Sequence, residues 1–203
     1  MVSLMEATAD RSCLHSVQMI LPKDETRAKV KAICNQNLRI GKVVDAYQQT
    51  LRDFEVALWE LHDPSAWSIA QLKNPKRLSI RLDHYHTRFP GIERQFWESS
   101  PRSTVWNNLA STPEKTALGC LRSLYLERAG ITDYQLATAL KSNPMLTELR
   151  FRKCLTLTDR TFKFFAESNV GRHIETLCLI KSYRDELNDG LFEHTAKLTN
   201  LEV

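Results

Sequence analysis

The chain has 203 residues, enough to bury a sizeable hydrophobic core as a single domain or a single solenoid. Its 28 basic and 24 acidic residues leave a formal net charge of +4, which permits an acidic partner and does not require nucleic acid. Five widely separated cysteines without a CxxC or CxxH pair argue against a disulfide framework and a common zinc motif, and no apolar run approaches the roughly 18–20 residues of a membrane span.

The first 50 residues (1–50) predict an irregular or degenerate N-terminal repeat region. Residues 14–19 alternate apolar and polar side chains, which indicates a strand with one buried face. We expect one helix over residues 24–36, because acidic residues stand at its start, and a second helix over 41–49. The opening residues carry acids and lack an apolar core, so they are not a secretory signal.

Repeat-like units are predicted over residues 51–82, beginning with a strand at Leu51. In the first of two possible registers the strand buries Phe54, Val56 and Leu58. A slip by one residue would instead bury Ala57, Trp59 and Leu61. The alternation alone does not choose between the two registers.

A helix and a second strand complete these units. Pro64 opens a predicted helix that runs to Leu72, and we expect Trp67 on its buried face. The second strand, Pro75–Leu82, begins 24 residues after Leu51. This spacing is that of a leucine-rich repeat.

Residues 83–120 interrupt the regular spacing of the predicted strands. The step from Pro75 to Leu121 is 46 residues, about two repeat periods, so the stretch is either an insert or a degenerate repeat. Its aromatic residues either pack on the solenoid or offer a patch to a partner, and they are Phe96, Trp97 and Trp106.

Residues 121–203 are the most regular part of the chain. Four segments spell L-x-x-L-x-L and start at Leu121, Leu146, Ile174 and Leu198, which are 25, 28 and 24 residues apart. Each segment predicts a strand, and the period is that of repeat proteins. The chain stops as the fourth strand is completed, with no polar capping unit, so we expect a truncated product or a fragment without its cap.

A second motif follows the first three segments and predicts helix starts. These triads begin at Ile131, Leu157 and Leu187, and each reads apolar residue, Thr or Asn, then Asp. The middle residue is a predicted N-cap, and the aspartate lies in the first turn, where the helix dipole favours negative charge. Because one strand and one helix cannot bury their apolar faces alone, neighbouring units must stack.

The units resemble leucine-rich repeats of the cysteine-containing class, which is common in F-box substrate receptors of ubiquitin ligases. The second unit matches that motif at Leu146, Leu149, Phe151, Cys154, Leu157, Thr158 and Asp159. In the neighbouring units Ala129 and Ser182 stand at the place of the cysteine. The resemblance implies an α/β leucine-rich repeat solenoid: a right-handed β-α superhelix with parallel strands on the concave face and helices on the convex face.

Residues 83–96 and 104–107 resemble segments of fungal F-box-like leucine-rich repeat proteins, although the chain has no recognisable F-box. This resemblance implies substrate recognition in a ubiquitin ligase, with ligase components among the partners. The lack of a secretory signal and of a disulfide pattern favours a cytoplasmic or nuclear location.

The concave face of the strands is the predicted binding surface. In L-x-x-L-x-L the residues between the leucines point away from the core, and Arg and Tyr at such positions are typical of interfaces. The candidate partner-binding residues are Arg77, Arg81, Tyr125, Glu127, Glu148, Arg150 and Arg152. The remaining outward positions are Ser79, Ser123, Thr176, Cys178 and Ile180.

Two alternatives to protein binding stay open at this point. Four arginines of this face suit the phosphates of a nucleic acid, and they are Arg77, Arg81, Arg150 and Arg152. A metal-dependent hydrolase would use His84 and His86, which share one face of a strand, together with Asp83. Because no nucleophile elbow, glycine-rich phosphate loop or HExxH helix occurs, we predict a non-catalytic protein without a cofactor that binds another protein.

Overall fold

The computed structural model describes residues 14–19, 30–58, 61–82, 106–107, 117–141, 143–180 and 189–201. The strands are β1 (Ser16–Met19), β2 (Asp53–Leu58), β3 (Arg77–Leu82), β4 (Ser123–Glu127), β5 (Glu148–Arg152) and β6 (Thr176–Ile180). The helices are α1 (Val30–Tyr47), α2 (Asp63–Ala70), α3 (Asp133–Leu140), α4 (Asp159–Glu167) and α5 (Asp189–Thr195). Short 3₁₀ helices lie at Ala117–Cys120 and Gly171–His173.

The six strands form one parallel sheet in the order of the sequence, from β1 to β6. The buried faces of these strands and the apolar faces of the helices join in a single hydrophobic cluster. A parallel sheet in sequential order, with helices between its strands, is an α/β arrangement consistent with a solenoid of leucine-rich repeat type. The predicted α/β class with parallel strands is thus confirmed.

Strand β2 adopts the first of the two registers predicted for it. Phe54, Val56 and Leu58 are buried, whereas Ala57 is only half-buried. The slipped register is therefore wrong, because side chains of a strand alternate between its two faces. Leu61 is buried nonetheless, since it lies beyond the end of the strand, where alternation no longer applies.

Strand β3 pairs directly with β4, and Arg77 is the register partner of Ser123. Among the described residues no strand lies between them in the sheet. Trp106 is buried in the common core, and Asn107 accepts a hydrogen bond of 2.9 Å from the side chain of Gln135 at the start of α3. These two residues thus pack on the core and α3, while Phe96 and Trp97 lie outside the described residues. The choice between an insert and a degenerate repeat stays a prediction.

The N-terminal region contains one long helix where two were predicted. Strand β1 forms as expected, but α1 continues from Val30 to Tyr47 through the predicted break between residues 36 and 41. Ile40 and Val44 are fully buried one turn apart, so the core holds the helix across Gly41. Residues 24–29, where the first helix was expected to begin, lie outside the described part.

Trp67 is not in the core, contrary to the prediction, since 51% of its surface is exposed. The buried residues of α2 are Ser65, Ala66, Ile69 and Ala70, which occupy one side of the helix. Trp67 lies between these pairs and faces outward. Helical spacing alone did not fix which side faces the sheet.

The predicted N-caps are present in the two described units. The Thr132 side chain accepts from the N–H of Gln135 and forms a capping box, and Thr158 caps α4 through the N–H of Arg160. Asn188 lies outside the described residues. Asp133 additionally joins two units, because its carboxylate accepts from the backbone N–H of Thr158 at 2.8 Å and from the hydroxyl of Thr161 at 2.5 Å.

The motif cysteine fills a buried place at the turn after β5. The Cys154 thiol is fully buried, lies 3.4 Å from the Leu126 carbonyl oxygen, and has a pKa raised to about 11 by burial. Ala129 takes the equivalent place after β4. The residue before each of them is left-handed, with φ of 53° at Arg128 and 55° at Lys153, so the two turns share one backbone form.

The strand predicted at the end of the chain does not form within the described residues. Leu198 is buried as expected, but the N–H of Leu201 donates to the Leu198 carbonyl at 3.2 Å and closes a turn. The Asn200 side chain donates to the Arg172 carbonyl oxygen at 2.5 Å. Residues 202 and 203 lie outside the described part.

Two glycines should respond in opposite ways to replacement by alanine. A Cβ at Gly171 would lie 1.8 Å from the carbonyl oxygen of Phe165, whereas at Gly41 its nearest neighbour is the Ser68 hydroxyl at 3.5 Å. We expect Gly171→Ala to lower the free energy of unfolding by about 1–3 kcal/mol or more, because backbone must move. Gly41→Ala should raise it by about 0.5–1 kcal/mol, because alanine favours the helix.

Urea denaturation of both variants and the parent chain measures these effects. Equal effects of the same sign at the two positions would contradict the described packing of Gly171 and the continuity of α1.

Candidate functional site

The open face of the sheet consists of the outward side chains of β2 to β6, on the side away from the helices. The strand register sorts these 15 side chains into three rows across the sheet. The first row is Asp53, Arg77, Ser123, Glu148 and Thr176. The second row is Glu55, Ser79, Tyr125, Arg150 and Cys178. The third row is Ala57, Arg81, Glu127, Arg152 and Ile180.

All seven predicted partner-binding residues lie on this open face. The register of β4 with β5 brings Arg152 to Tyr125 and Glu127, and Glu148 lies next to Arg150 on the same strand. Arg77 and Arg81 contact carboxylates of β2, and Arg81 is also the register partner of Glu127. The placement of the residues thus agrees with the strand pattern, and their binding role stays a prediction.

Arg77 forms a two-pronged ion pair with Asp53 on the neighbouring strand. Its Nε donates to Oδ1 at 2.9 Å and its Nη2 to Oδ2 at 2.7 Å. This hydrogen bonding to Asp53, together with the charge of Asp53, raises the pKa of Arg77. Two parallel bonds to one carboxylate fix the plane of the guanidinium.

Arg81 contacts Glu55, which also links the first strand to the face. Gln18 of β1 donates to Glu55 Oε2 at 2.7 Å, and the Arg81 guanidinium pairs with Oε1 of the same carboxylate. Glu55 therefore joins side chains of β1, β2 and β3. The Arg81 and Glu55 side chains are each 33% exposed, so the pair is partly shielded from water.

A polar cluster occupies the middle of the face around Glu127. This carboxylate accepts a hydrogen bond of 2.9 Å from the Tyr125 hydroxyl and lies 3.6 Å from Nε of Arg152. Its side chain is only 12% exposed. Burial of the ring and the neighbouring Glu127 carboxylate raise the pKa of Tyr125, so its hydroxyl keeps its proton and acts as a donor.

Glu148 is held by one donor on the neighbouring strand, Ser123, and by one on its own strand, Arg150. Its Oε1 accepts from Nε of Arg150 at 2.5 Å. Hydrogen bonding from the Ser123 side chain, and next from Arg150, lowers the pKa of Glu148. The carboxylate therefore stays ionised over the whole neutral range.

The open face carries no net formal charge, which changes the meaning of its arginines. The four arginines Arg77, Arg81, Arg150 and Arg152 face the four carboxylates Asp53, Glu55, Glu127 and Glu148, so +4 and −4 sum to zero. The sequence had indicated arginines available to a carboxylate or phosphate partner. The prediction did not include Asp53 and Glu55, because it did not pair the outward positions of β2 with those of β3.

The face changes character at its β6 side. Thr176, Cys178 and Ile180 carry no charge, and 45% of the Ile180 surface is exposed. The open face is therefore charged and polar over β2 to β5 and uncharged at β6.

Within the described residues no group of three or more His, Cys, Asp or Glu side chains could hold a metal ion. Asp83, His84 and His86, the metal-binding alternative, lie outside them. None of the helices in the described part of the chain is both long and apolar enough to cross a membrane.

The lowered pKa of Glu148 makes its contribution to stability depend on pH. A carboxylate whose pKa is lower in the folded state stabilises the fold above its unfolded pKa, and this contribution disappears as the pH falls through the folded value. Glu148→Gln should thus be less stable than the parent at pH 7, by under about 1 kcal/mol, and the difference should shrink as the pH falls. Urea denaturation between pH 7 and about pH 3 measures this, and the exposed Glu175→Gln is the control. A difference independent of pH would contradict the assignment.

Comparisons with known proteins give no family for the chain. No protein-family model matches it, and no curated protein matches it. Among solved structures, the tropomodulin C-terminal domain of Caenorhabditis elegans is similar, with 11% sequence identity over 93% of this chain and 86% of that chain. The TM-score is 0.41, and a likeness at this level carries no argument about function.

Proposed function

We propose that the chain is a non-catalytic scaffold that binds another protein through the open face. The observation that carries this proposal is the ordering of its charged side chains into four ion pairs, three of which span neighbouring strands. Side chains held in this way lose little conformational freedom when a partner binds, and they present donors and acceptors in a fixed pattern. The proposal includes the shape of the fold: the chain forms a right-handed superhelix, and the open face lies on its concave side.

Tyr125 and the uncharged β6 positions support a protein partner in particular. Tyrosine and arginine are enriched among the residues that dominate binding energy at protein interfaces, and exposed apolar side chains add area. Tyr125 lies in the central row, with Arg150 as its register partner on β5. The centre of the face thus combines the residue types that protein interfaces favour.

Binding to nucleic acid is less well supported. Each arginine of the open face contacts a carboxylate, so a phosphate chain would have to displace four ion pairs on a face without net charge. Binding driven by phosphates would weaken steeply as salt is raised. A chain that binds oligonucleotides with that salt dependence, and loses the binding when these arginines are replaced, would favour this alternative.

Substrate recognition in a ubiquitin ligase is the narrower form of the proposal. It depends on the resemblance of the repeat motif alone. Co-purification of the chain with a ligase adaptor would support it, and its absence would leave the general scaffold in place.

Replacing two arginines of β5 tests the open face directly. The variant Arg150→Glu with Arg152→Glu should lose captured partner proteins by about tenfold or more, since hot-spot residues each contribute on the order of 1–2 kcal/mol. The control, Arg160→Glu with Lys163→Glu, makes the same charge change on exposed positions of α4 in the same unit and should retain them. Quantitative mass spectrometry of proteins captured by the tagged chain measures both.

The variant Arg150→Gln with Arg152→Gln guards against misfolding, because Arg150→Glu sets a second acid beside Glu148 and Arg152→Glu sets one beside Glu127. Thermal unfolding must show that each variant is folded. Partner capture that survives the open-face variants and falls with the α4 control would contradict the proposal.

A further inference from the structure

A row of basic side chains lies at the edge of the sheet where the strands begin. Arg52, Lys76 and Arg122 each immediately precede a strand, namely β2, β3 and β4. The Arg52 carbonyl oxygen accepts from the N–H of Lys76 at 2.6 Å, and the Lys76 carbonyl oxygen accepts from the N–H of Arg122 at 2.8 Å. The three residues are thus held on adjacent strands, about 4.8 Å apart. We call them the basic row.

The basic row differs from the arginines of the open face in its partners. In the described part of the chain, the side chains of Arg52, Lys76 and Arg122 make no hydrogen bond or ion pair, whereas each open-face arginine contacts a carboxylate. Arg52 and Arg122 are exposed and Lys76 is half-buried. Three like charges on adjacent strands repel each other, so negative charge from a ligand would relieve this repulsion.

The basic row lines an open groove of about 420 Å³ at the boundary of the open face. Arg77 adds a fourth cation to its lining, and Asp53 and Glu148 add two carboxylates, which leaves +4 − 2 = +2. A second groove of about 380 Å³ shares Arg122 and Thr147 with the first and continues toward the start of β6. Together they form one channel that crosses the starts of the strands.

The size of the open face indicates that a partner must contact more than its three rows. The rows span about 19 Å across five strands and about 13 Å along them, or about 250 Å² in projection. A stable interface buries about 800 Å² on each partner. The channel adjoins the first row through Asp53, Arg77 and Glu148, so it is a natural extension of the contact area.

We propose that this channel binds an extended acidic segment of the protein partner, an inference that rests on the proposed function. The row spans about 10 Å from Arg52 to Arg122, and an extended chain rises about 3.3 Å per residue. Carboxylates one or two residues apart, about 3.3–6.6 Å along the chain, can therefore meet successive cations. Arg52 and Arg122 offer planar, two-pronged donors that suit carboxylates.

The three carboxylates in the channel, Asp53, Glu148 and Glu175, favour a peptide over a nucleic acid. A nucleic acid strand carries a phosphate at every nucleotide, so it cannot avoid these acids. A peptide can place carboxylates against the basic row and uncharged amide groups against the three acids. The channel therefore favours a chain whose charged side chains are separated by uncharged residues.

Neutralising the basic row tests the proposal. The probe is a fluorescein-labelled peptide in which four glutamates alternate with glycine or serine, and its binding is measured by fluorescence anisotropy at low salt. Arg52→Gln with Lys76→Gln and Arg122→Gln should bind it about tenfold more weakly, since each exposed ion pair contributes a factor of about 1.5 to 5. The control, Arg39→Gln with Lys42→Gln and Arg160→Gln, removes two arginines and one lysine from exposed helix positions and should stay within about twofold of the parent.

Three results would overturn the proposal. An equal loss in the control would mean that only net charge matters. Equal binding of a peptide with glutamine in place of glutamate would mean that carboxylates are not recognised. A thymidine oligonucleotide of the same charge that binds more tightly, and loses this binding in the basic-row variant, would assign the channel to nucleic acid.

Capture of the natural partner separates this inference from the proposed function. Loss of capture in both the basic-row and the open-face variants supports the two together. Capture that depends on the open face but not on the basic row overturns the channel and leaves the scaffold. Capture that depends on the basic row alone supports the channel and contradicts the open face as the binding surface.

Discussion

The parallel register between β3 and β4 is the constraint on which the rest of the structure depends. Residues 83–122 separate these strands in the chain, yet Arg77 stands opposite Ser123 and Arg81 opposite Glu127. Closing a long connection costs entropy that grows only slowly with its length, so a sheet that buries apolar side chains on both strands tolerates such an insert. Without this pairing the sheet would divide into a β1–β3 part and a β4–β6 part, and the three rows of the open face would be broken.

The registers of the two neighbouring strand pairs decide which charged side chains meet on the open face. The pairing of β2 with β3 sets Asp53 beside Arg77 and brings Arg81 diagonally to Glu55. The pairing of β4 with β5 sets Glu127 beside Arg152. Exposed ion pairs stabilise a fold little, at a median of about 0–1 kcal/mol each. Their main effect here is to hold side chains in place and to cancel the charge of the open face. The basic row, whose cations have no carboxylate partner among the described residues, lies at the edge of the sheet. The two proposed contact areas, the open face and the basic row, are thus adjacent.

Much of the fold could be predicted from local patterns. The alternation in L-x-x-L-x-L locates strands because it reflects one buried face, and Thr132 with Gln135 identifies a helix start because both bonds are local. Features that depend on distant residues could not be predicted. The exposed Trp67 depends on which side of α2 meets the sheet, and the pairing of Arg77 with Asp53 depends on strand order. The basic row precedes the strands, so the alternating pattern within the strands does not identify it.

Cross-linking of β3 to β4 tests the central claim most directly. Disulfides require Cα atoms about 4.4–6.8 Å apart, which adjacent register partners satisfy and residues slipped by two do not. Arg77→Cys with Ser123→Cys should form a disulfide on mild oxidation, identified by mass spectrometry of the joined peptides. Arg77→Cys with Tyr125→Cys should not. A disulfide in the second variant and none in the first, with both chains folded, would contradict the register and with it the rows of the open face.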